Sequence, residues 1–141
     1  MEELIAKNQI IIDAPIAKVW EVLIAPKFIR QWDSLPQDFP DYYLETGMEI
    51  DWSGNSKITV AEMLPHEYLK LSLYVYKWGL GPSSYDIAYR YRLFARNTSI
   101  LLSIEIGDFG QLPDGAEYYS ASVEFADKAL NKIKLLAENR V

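Results

Sequence analysis

The chain has 141 residues, half of them hydrophobic and 13% aromatic, with no cysteine, one histidine and a formal net charge of −6. A chain of this length and apolar content buries a substantial core and is not disordered. The acidic balance, with no basic cluster, disfavours duplex nucleic acid and anionic membranes, and the lack of cysteine removes disulfides, thiol nucleophiles and thiolate metal sites. The opening MEELIAKNQI has neither the basic start nor the long apolar core of a signal peptide, and no apolar run approaches the roughly 18 residues of a membrane span. These features predict a cytoplasmic protein.

Leu4 to Asp13 reads as a strand, with Ile10 to Ile12 β-branched. Pro15, at the first helical position, opens a helix with Ile16, Val19, Trp20 and Leu23 on its apolar face. Pro26 ends it, and Lys27 to Gln31 forms a further short helical turn leading to Trp32. Asp33 to Pro40 is a loop. From Tyr42 the pattern changes to period two. Tyr42 to Glu45 is a short strand, and Met48, Ile50 and Trp52 alternate with Glu49 and Asp51. Gly54-Asn55 marks a hairpin into a strand over Lys57 to Met63. Leu69 to Val75, Tyr85 to Leu93 and Ser99 to Ile106 alternate in the same way and are joined by turns.

Asp114 to Asn139 reads as one helix of about 25 residues, or roughly 38 Å. Asp114 followed by Glu117 resembles a capping box, and Lys128, Lys132, Lys134 and Arg140 lie towards the negative end of its dipole. Tyr118, Tyr119, Ser122, Val123, Phe125, Ala126, Ala129, Leu130, Ile133, Leu136 and Ala137 share one broad face; Leu135 breaks the pattern. An arc this wide needs a curved sheet to cover it. Its small centre, Ser122, Ala126 and Ala129, serves either close helix–sheet approach or room for a ligand. The predicted fold class is α+β, in the order β-α-α-β6-α, with residues 1–141 forming a single domain whose antiparallel sheet is apolar on one face.

Ala14-Pro15-x-x-Lys18-Val19-Trp20-x-x-Leu23, then Pro26 and Trp32, resembles the opening of the START-like or SRPBCC superfamily. The closest likeness is to the domain family of the ATPase activator of the ninety-kilodalton heat-shock chaperone. Gly47, Val60-x-Glu62-x-x-Pro65-x-x-Tyr68-Leu69 and Thr98-x-x-Leu101 continue the likeness in the right order. The resemblance implies a helix-grip fold, in which roughly six to seven curved antiparallel strands wrap a long C-terminal helix, with a cavity between sheet and helix. Functions in this superfamily include lipid and hormone binding, polyketide cyclisation and chaperone activation, and fold alone does not choose among them.

The residues themselves mark no catalytic centre. His66 sits in a predicted turn, and one histidine without cysteine makes no metal site. There is no nucleophile elbow, phosphate loop or dinucleotide fingerprint, so no cofactor is expected. Glu49 with Asp51, and Arg90 with Arg92, alternate with the apolar set and face solvent. Trp78 to Pro82 and Asp108 to Gly110 place glycines beside bulky residues, as ordinary loops or as gates to a cavity. The inward set is Trp32, Met48, Trp52, Tyr85, Tyr89, Tyr91 and Tyr119. From it Trp32, Trp52, Tyr89, Tyr91 and Tyr119, with Ser122 and Ala126 on the helix, are the expected ligand-binding residues.

The first expectation is a binding module for a small hydrophobic or aromatic molecule, lipid-like ligands included, held by burial with one or two polar anchors. The alternatives are a chaperone-interacting domain of the activator type and a polyketide cyclase or hydratase with tyrosine acids. The sequence leans against an enzyme and expects neither nucleic acid nor membrane insertion.

Overall fold

The computed structural model describes residues 3–52, 55–78 and 80–139. Their order is β1 (Ala6–Ile12), α1 (Ile16–Ile24), α2 (Pro26–Trp32), β2 (Glu49–Trp52), β3 (Ser56–Leu64), β4 (Tyr68–Val75), β5 (Ala88–Arg96), β6 (Ser99–Gly107) and α3 (Gly115–Ala137). Single 3₁₀ turns lie at Pro82–Ser84 and Phe109–Gln111. The six strands form one antiparallel sheet ordered β1-β6-β5-β4-β3-β2. Strands β2 to β6 run as a meander, and β1 returns from the start of the chain to pair with β6 along Ala6 to Ile12. Helix α3 packs on β1 and β6 and against α1 and α2. This is the helix-grip arrangement, an α+β fold with its sheet curved around a long C-terminal helix.

Period-two alternation puts the core where the sequence places it. Ile100, Leu102, Ile104 and Ile106 of β6 are all buried, as are Leu69 and Leu71 of β4 and Tyr91 and Leu93 of β5. The alternate residues carry charge across the outer face. Arg92 pairs with Glu105 at 2.8 Å, Arg90 with Asp86 at 3.2 Å, and Lys57 with Glu49 at 3.2 Å. Such surface pairs contribute little stability and chiefly keep the face wet.

Pro26 has two roles. It lacks the N–H that would continue α1, and its fixed φ starts α2 at the first helical position. The carbonyls left open at the end of α1 are then filled one by one. Glu21 O accepts from Ala25 N at 2.9 Å, Ile24 O from Leu44 N at 2.9 Å, and Val22 O from the Trp32 indole N–H at 2.9 Å. Trp32 therefore caps the preceding helix with its side chain.

Four expectations are corrected. Tyr42 to Glu45 forms no strand: Leu44 is buried and its N–H caps α1, while Tyr42 and Tyr43 are exposed. Pro15 is the N-cap of α1 and lies one residue before its first helical position. At α3 the Asp114 side chain makes no capping bond, so the capping box does not form. Val123 is exposed, as Leu135 is, because the sheet does not reach that side of α3. Gly54 of the expected hairpin, Gly79 of the expected loop and Arg140 lie outside the described residues. The far end of α3 is tied to β1: Lys134 Nζ donates to Ile11 O at 2.6 Å, and Glu138 Oε2 accepts from Asp13 N at 2.7 Å.

Candidate functional site at the meeting of helix two, strand five and helix three

Three elements converge on the inner face of the sheet. The end of α2 supplies Trp32 and, one residue on, Asp33. The inward side of β5 supplies Tyr89 and Tyr91, two residues apart and so on the same face. The middle of α3 supplies Ser122, Phe125 and Ala126. The Trp32 and Tyr91 rings meet edge to face with centroids 6.0 Å apart, and Tyr89 meets Phe125 in the same way at 5.7 Å. Ser122 lies one turn before Phe125, on the adjoining part of that helix face. Trp32 is 5% exposed, Tyr91 1% and Ala126 1%.

The polar atoms at this junction are the informative ones. Ser122 is the buried polar residue of the core among the described residues. The hydroxyls of Tyr89, Tyr91 and Ser122 have no hydrogen-bond partner among the described residues. Yet no buried side-chain nitrogen or oxygen there lacks one. Each of the three hydroxyls therefore keeps a small contact with solvent. Burying a phenol or alcohol without a partner is costly.

Asp33 follows Trp32 at the end of α2. As a residue it is exposed on its loop, but packing around the carboxyl withdraws that group from water. Desolvation pushes its pKa from 3.8 up to about 6, opposed by a hydrogen bond from the Ser34 backbone. Its charge reaches both tyrosines. Burial is the larger cause raising the Tyr89 and Tyr91 phenols, and the Asp33 carboxylate adds to it in each.

A raised carboxyl pKa has a definite sign. The folded chain binds the Asp33 proton more tightly than the unfolded chain, so stability is lost as pH rises from 3.8 through about 6. Asp33→Asn removes that dependence. Compared by thermal unfolding, variant and wild type are expected to match near pH 4, and the variant to be the more stable near pH 7. A wild type that gains on the variant as pH rises would show that the carboxylate is stabilised where it sits.

Ring contacts join Trp32 to Tyr91 and Tyr89 to Phe125, and Ser122 and Ala126 lie on the same α3 face as Phe125. Trp52 is half-buried at the end of the edge strand β2, three strand spacings from β5 or about 14 Å. Tyr119 is half-buried on α3, one turn before Ser122. Neither has a ring contact with the Trp32 and Tyr91 group among the described residues. Tyr85 lies just before β5, where its hydroxyl accepts from Leu80 N at 3.1 Å. Phe125, which the sequence places on the apolar arc of α3, meets Tyr89, and Asp33 carries no mark in the sequence beyond being the acid that follows Trp32.

Other features lie apart from this site. His66 occupies a turn at φ 67°, its ring edge-on to Trp20 at 6.3 Å. Phe109 is buried and stacks on Tyr118, and Asp108 Oδ1 accepts from Leu4 N and Gly110 N at 2.8 Å each. The 108–110 segment is thus anchored and does not gate a cavity. Open surface depressions lie along α1 beside Tyr43, about 520 Å³, and between Trp78, Tyr85 and Asp114, about 400 Å³. Neither is lined by Tyr89, Tyr91 or Ser122. Among the described residues no group of three His, Asp or Glu side chains is arranged to hold a metal ion, and no helix is long and apolar enough to cross a membrane.

The chain matches no protein-family model and no curated protein. It is similar in structure to the Aha1 dimer of Colwellia psychrerythraea, with a TM-score of 0.73 and 12% identity over 96% of this chain and 97% of that one. ChR145 of Cytophaga hutchinsonii aligns at TM-score 0.70 and 24% identity, covering 99% and 98% of the two chains. CalU16 of Micromonospora echinospora aligns at 0.65 and 17%, covering 99% and 94%. At these identities the likeness shows the fold alone.

Proposed function

We infer that the protein is a binding module, acting in the cytoplasm, for a small hydrophobic or aromatic molecule. The ligand lies between the sheet and α3, with Trp32, Tyr89, Tyr91, Ser122 and Ala126 around it. Trp52 and Tyr119 form the farther parts of the same inner surface. One observation carries this reading: the Tyr91 hydroxyl, on a residue 1% exposed, has no hydrogen-bond partner among the described residues. A phenol kept only for packing would be replaced at no loss by phenylalanine. A phenol kept for a ligand supplies the polar anchor that orients an otherwise apolar guest.

Tyr91→Phe separates these two roles. Its unfolding free energy is expected to stay within about 0.5 kcal/mol of wild type, because no hydrogen bond to a described residue is lost. Native mass spectrometry of the protein from its own host is expected to show an added small-molecule mass that Tyr91→Phe retains less. A destabilised Tyr91→Phe carrying the same mass as wild type would make the hydroxyl structural and remove the reading.

A second reading, a chaperone-interacting module of the activator type, rests on the Colwellia comparison. The two chains cover one another almost end to end, so a protein of that name is of similar size. A docking surface is at hand on the outer sheet face, where exposed Ile11 and Phe94 flank Leu101 in one cross-strand row. Under this reading the protein raises ATP turnover of the ninety-kilodalton chaperone; unchanged turnover at saturating protein removes it.

A further inference from the structure

A second group of side chains meets at the start of α3. The depression there, about 400 Å³, is lined by Lys77, Trp78, Tyr85, Leu112, Pro113 and Asp114, and it has the size of a small-ligand pocket. Its aromatic wall is a corner: the Trp78 and Tyr85 rings are inclined at 59° with centroids 5.0 Å apart. Hydrogen bonds hold that corner in place. The Trp78 indole N–H donates to the Tyr118 hydroxyl at 3.3 Å, and the Tyr85 hydroxyl accepts from Leu80 N at 3.1 Å. The Leu80 carbonyl in turn accepts from the Tyr74 hydroxyl at 2.8 Å. The rings are thus set before any ligand arrives, which lowers the ordering cost of binding. Two charges line the same depression. Lys77 Nζ lies 5.8 Å from the centroid of the Tyr118 ring, so the protein's own ammonium already rests against this aromatic cluster. The Asp114 side chain makes no capping bond to α3 and has no hydrogen-bond or ion-pair partner among the described residues.

We propose that this depression binds a small methylated ammonium ion, held by the Trp78 and Tyr85 rings and the Asp114 carboxylate. Ring faces attract cations, and a carboxylate beside them adds a full opposite charge. The methyl groups have apolar walls to meet in Leu112 and Pro113. A bare ammonium is strongly hydrated and loses more water for the same contacts. Anions are opposed by Asp114 and by the negative ring faces, and a neutral molecule of the same shape gains from the apolar walls alone. Lys77 works against the ligand, because its ammonium repels a second cation entering the same depression. The chain's net charge of −6 draws cations at long range. This depression shares no lining residue with the group around Trp32 and Tyr91, so the two sites stand or fall separately.

The test is a matched pair of the same shape, choline and its uncharged isostere 3,3-dimethylbutan-1-ol, each titrated into the full chain at constant ionic strength. The Trp78 indole resonance in the proton–nitrogen spectrum is the reporter. Choline is expected to shift it saturably while the Trp20 and Trp32 resonances stay in place, and to bind about fivefold or more tightly than the alcohol. Asp114→Asn is expected to bring the two compounds to within about twofold of each other. Asparagine is as good a residue at the start of a helix as aspartate, so the variant is expected to keep the fold. Lys77→Gln is expected to tighten choline binding about twofold or more by removing the competing charge. The wild-type comparison stands by itself should either variant fold poorly. A Trp78 resonance unmoved by choline, or an alcohol that binds as tightly as choline, would overturn the proposal.

Discussion

Trp32→Ala is expected to lower the unfolding free energy by about 3–5 kcal/mol. In a chain of this size that is a fall in melting temperature of about 10–15 °C. Two separate losses add up. The first is the ring itself, 5% exposed and packed edge-on against Tyr91 at 6.0 Å. Its removal opens a void beneath α2 that the anchored helices cannot fully close. The second is the indole N–H, which fills the Val22 carbonyl at the end of α1 at 2.9 Å. Trp32→Phe isolates this second part. It keeps most of the packing and leaves one buried carbonyl open, at about 1–3 kcal/mol. Denaturant unfolding of the two variants would show both effects. A Trp32→Ala protein as stable as wild type would mean that neither the cap nor the packing holds α2 to the rest.

Gly115→Ala is expected to be as damaging, although it adds a single methyl group. A Cβ on Gly115 would lie 1.9 Å from the carbonyl oxygen of Phe109 and 2.8 Å from its carbon. Adding a methylene to a full core ordinarily costs about 1–3 kcal/mol, because neighbouring side chains give way. Here the obstacle is backbone. Phe109 is buried and stacked on Tyr118 with centroids 5.7 Å apart, so the turn cannot retreat without breaking the start of α3. The expected cost is therefore about 3 kcal/mol or more. Gly81→Ala is the control: nothing lies within 4 Å of its Cβ, and a change within about 0.5 kcal/mol is expected. Equal stability of the two variants in chemical denaturation would show that the α3 start moves freely away from Phe109.

Much of the fold was legible because periodicity is local. The run Ile100, Leu102, Ile104, Ile106 states its own inward face, and Tyr89, Tyr91 and Leu93 on the neighbouring strand follow the same alternation. The long apolar arc of α3 asked for a curved sheet, and the order of turns gave a meander. What was not legible depends on where distant segments settle. Tyr42 to Glu45 has strand-like residues but lies where α1 needs a cap, so Leu44 serves the helix. Asp114 and Glu117 have the capping-box spacing, but the tight approach of Gly115 to Phe109 sets the backbone at that helix start. Trp52 was grouped with Tyr91 by face alone; the sheet order puts β3 and β4 between their strands. Asp33 carries no local signal at all. Its link to Tyr89 and Tyr91, whose phenols its charge helps to raise, joins a loop early in the chain to a strand much later in it.

The central claim is that a hydrophobic guest enters at the meeting of α2, β5 and α3. Its most direct test is a two-dimensional proton–nitrogen spectrum of the tryptophan indoles during titration with 2-naphthylmethanol. The chain has four tryptophans, each a separate reporter. Trp32 is at the site, Trp20 is on α1 by His66, Trp52 is on the edge strand and Trp78 is beside the surface depression with Tyr85. The account predicts a saturable shift of the Trp32 indole resonance and little change at Trp20 and Trp78. A Trp32 resonance that stays fixed while Trp78 shifts, or while none of the four moves, would contradict it.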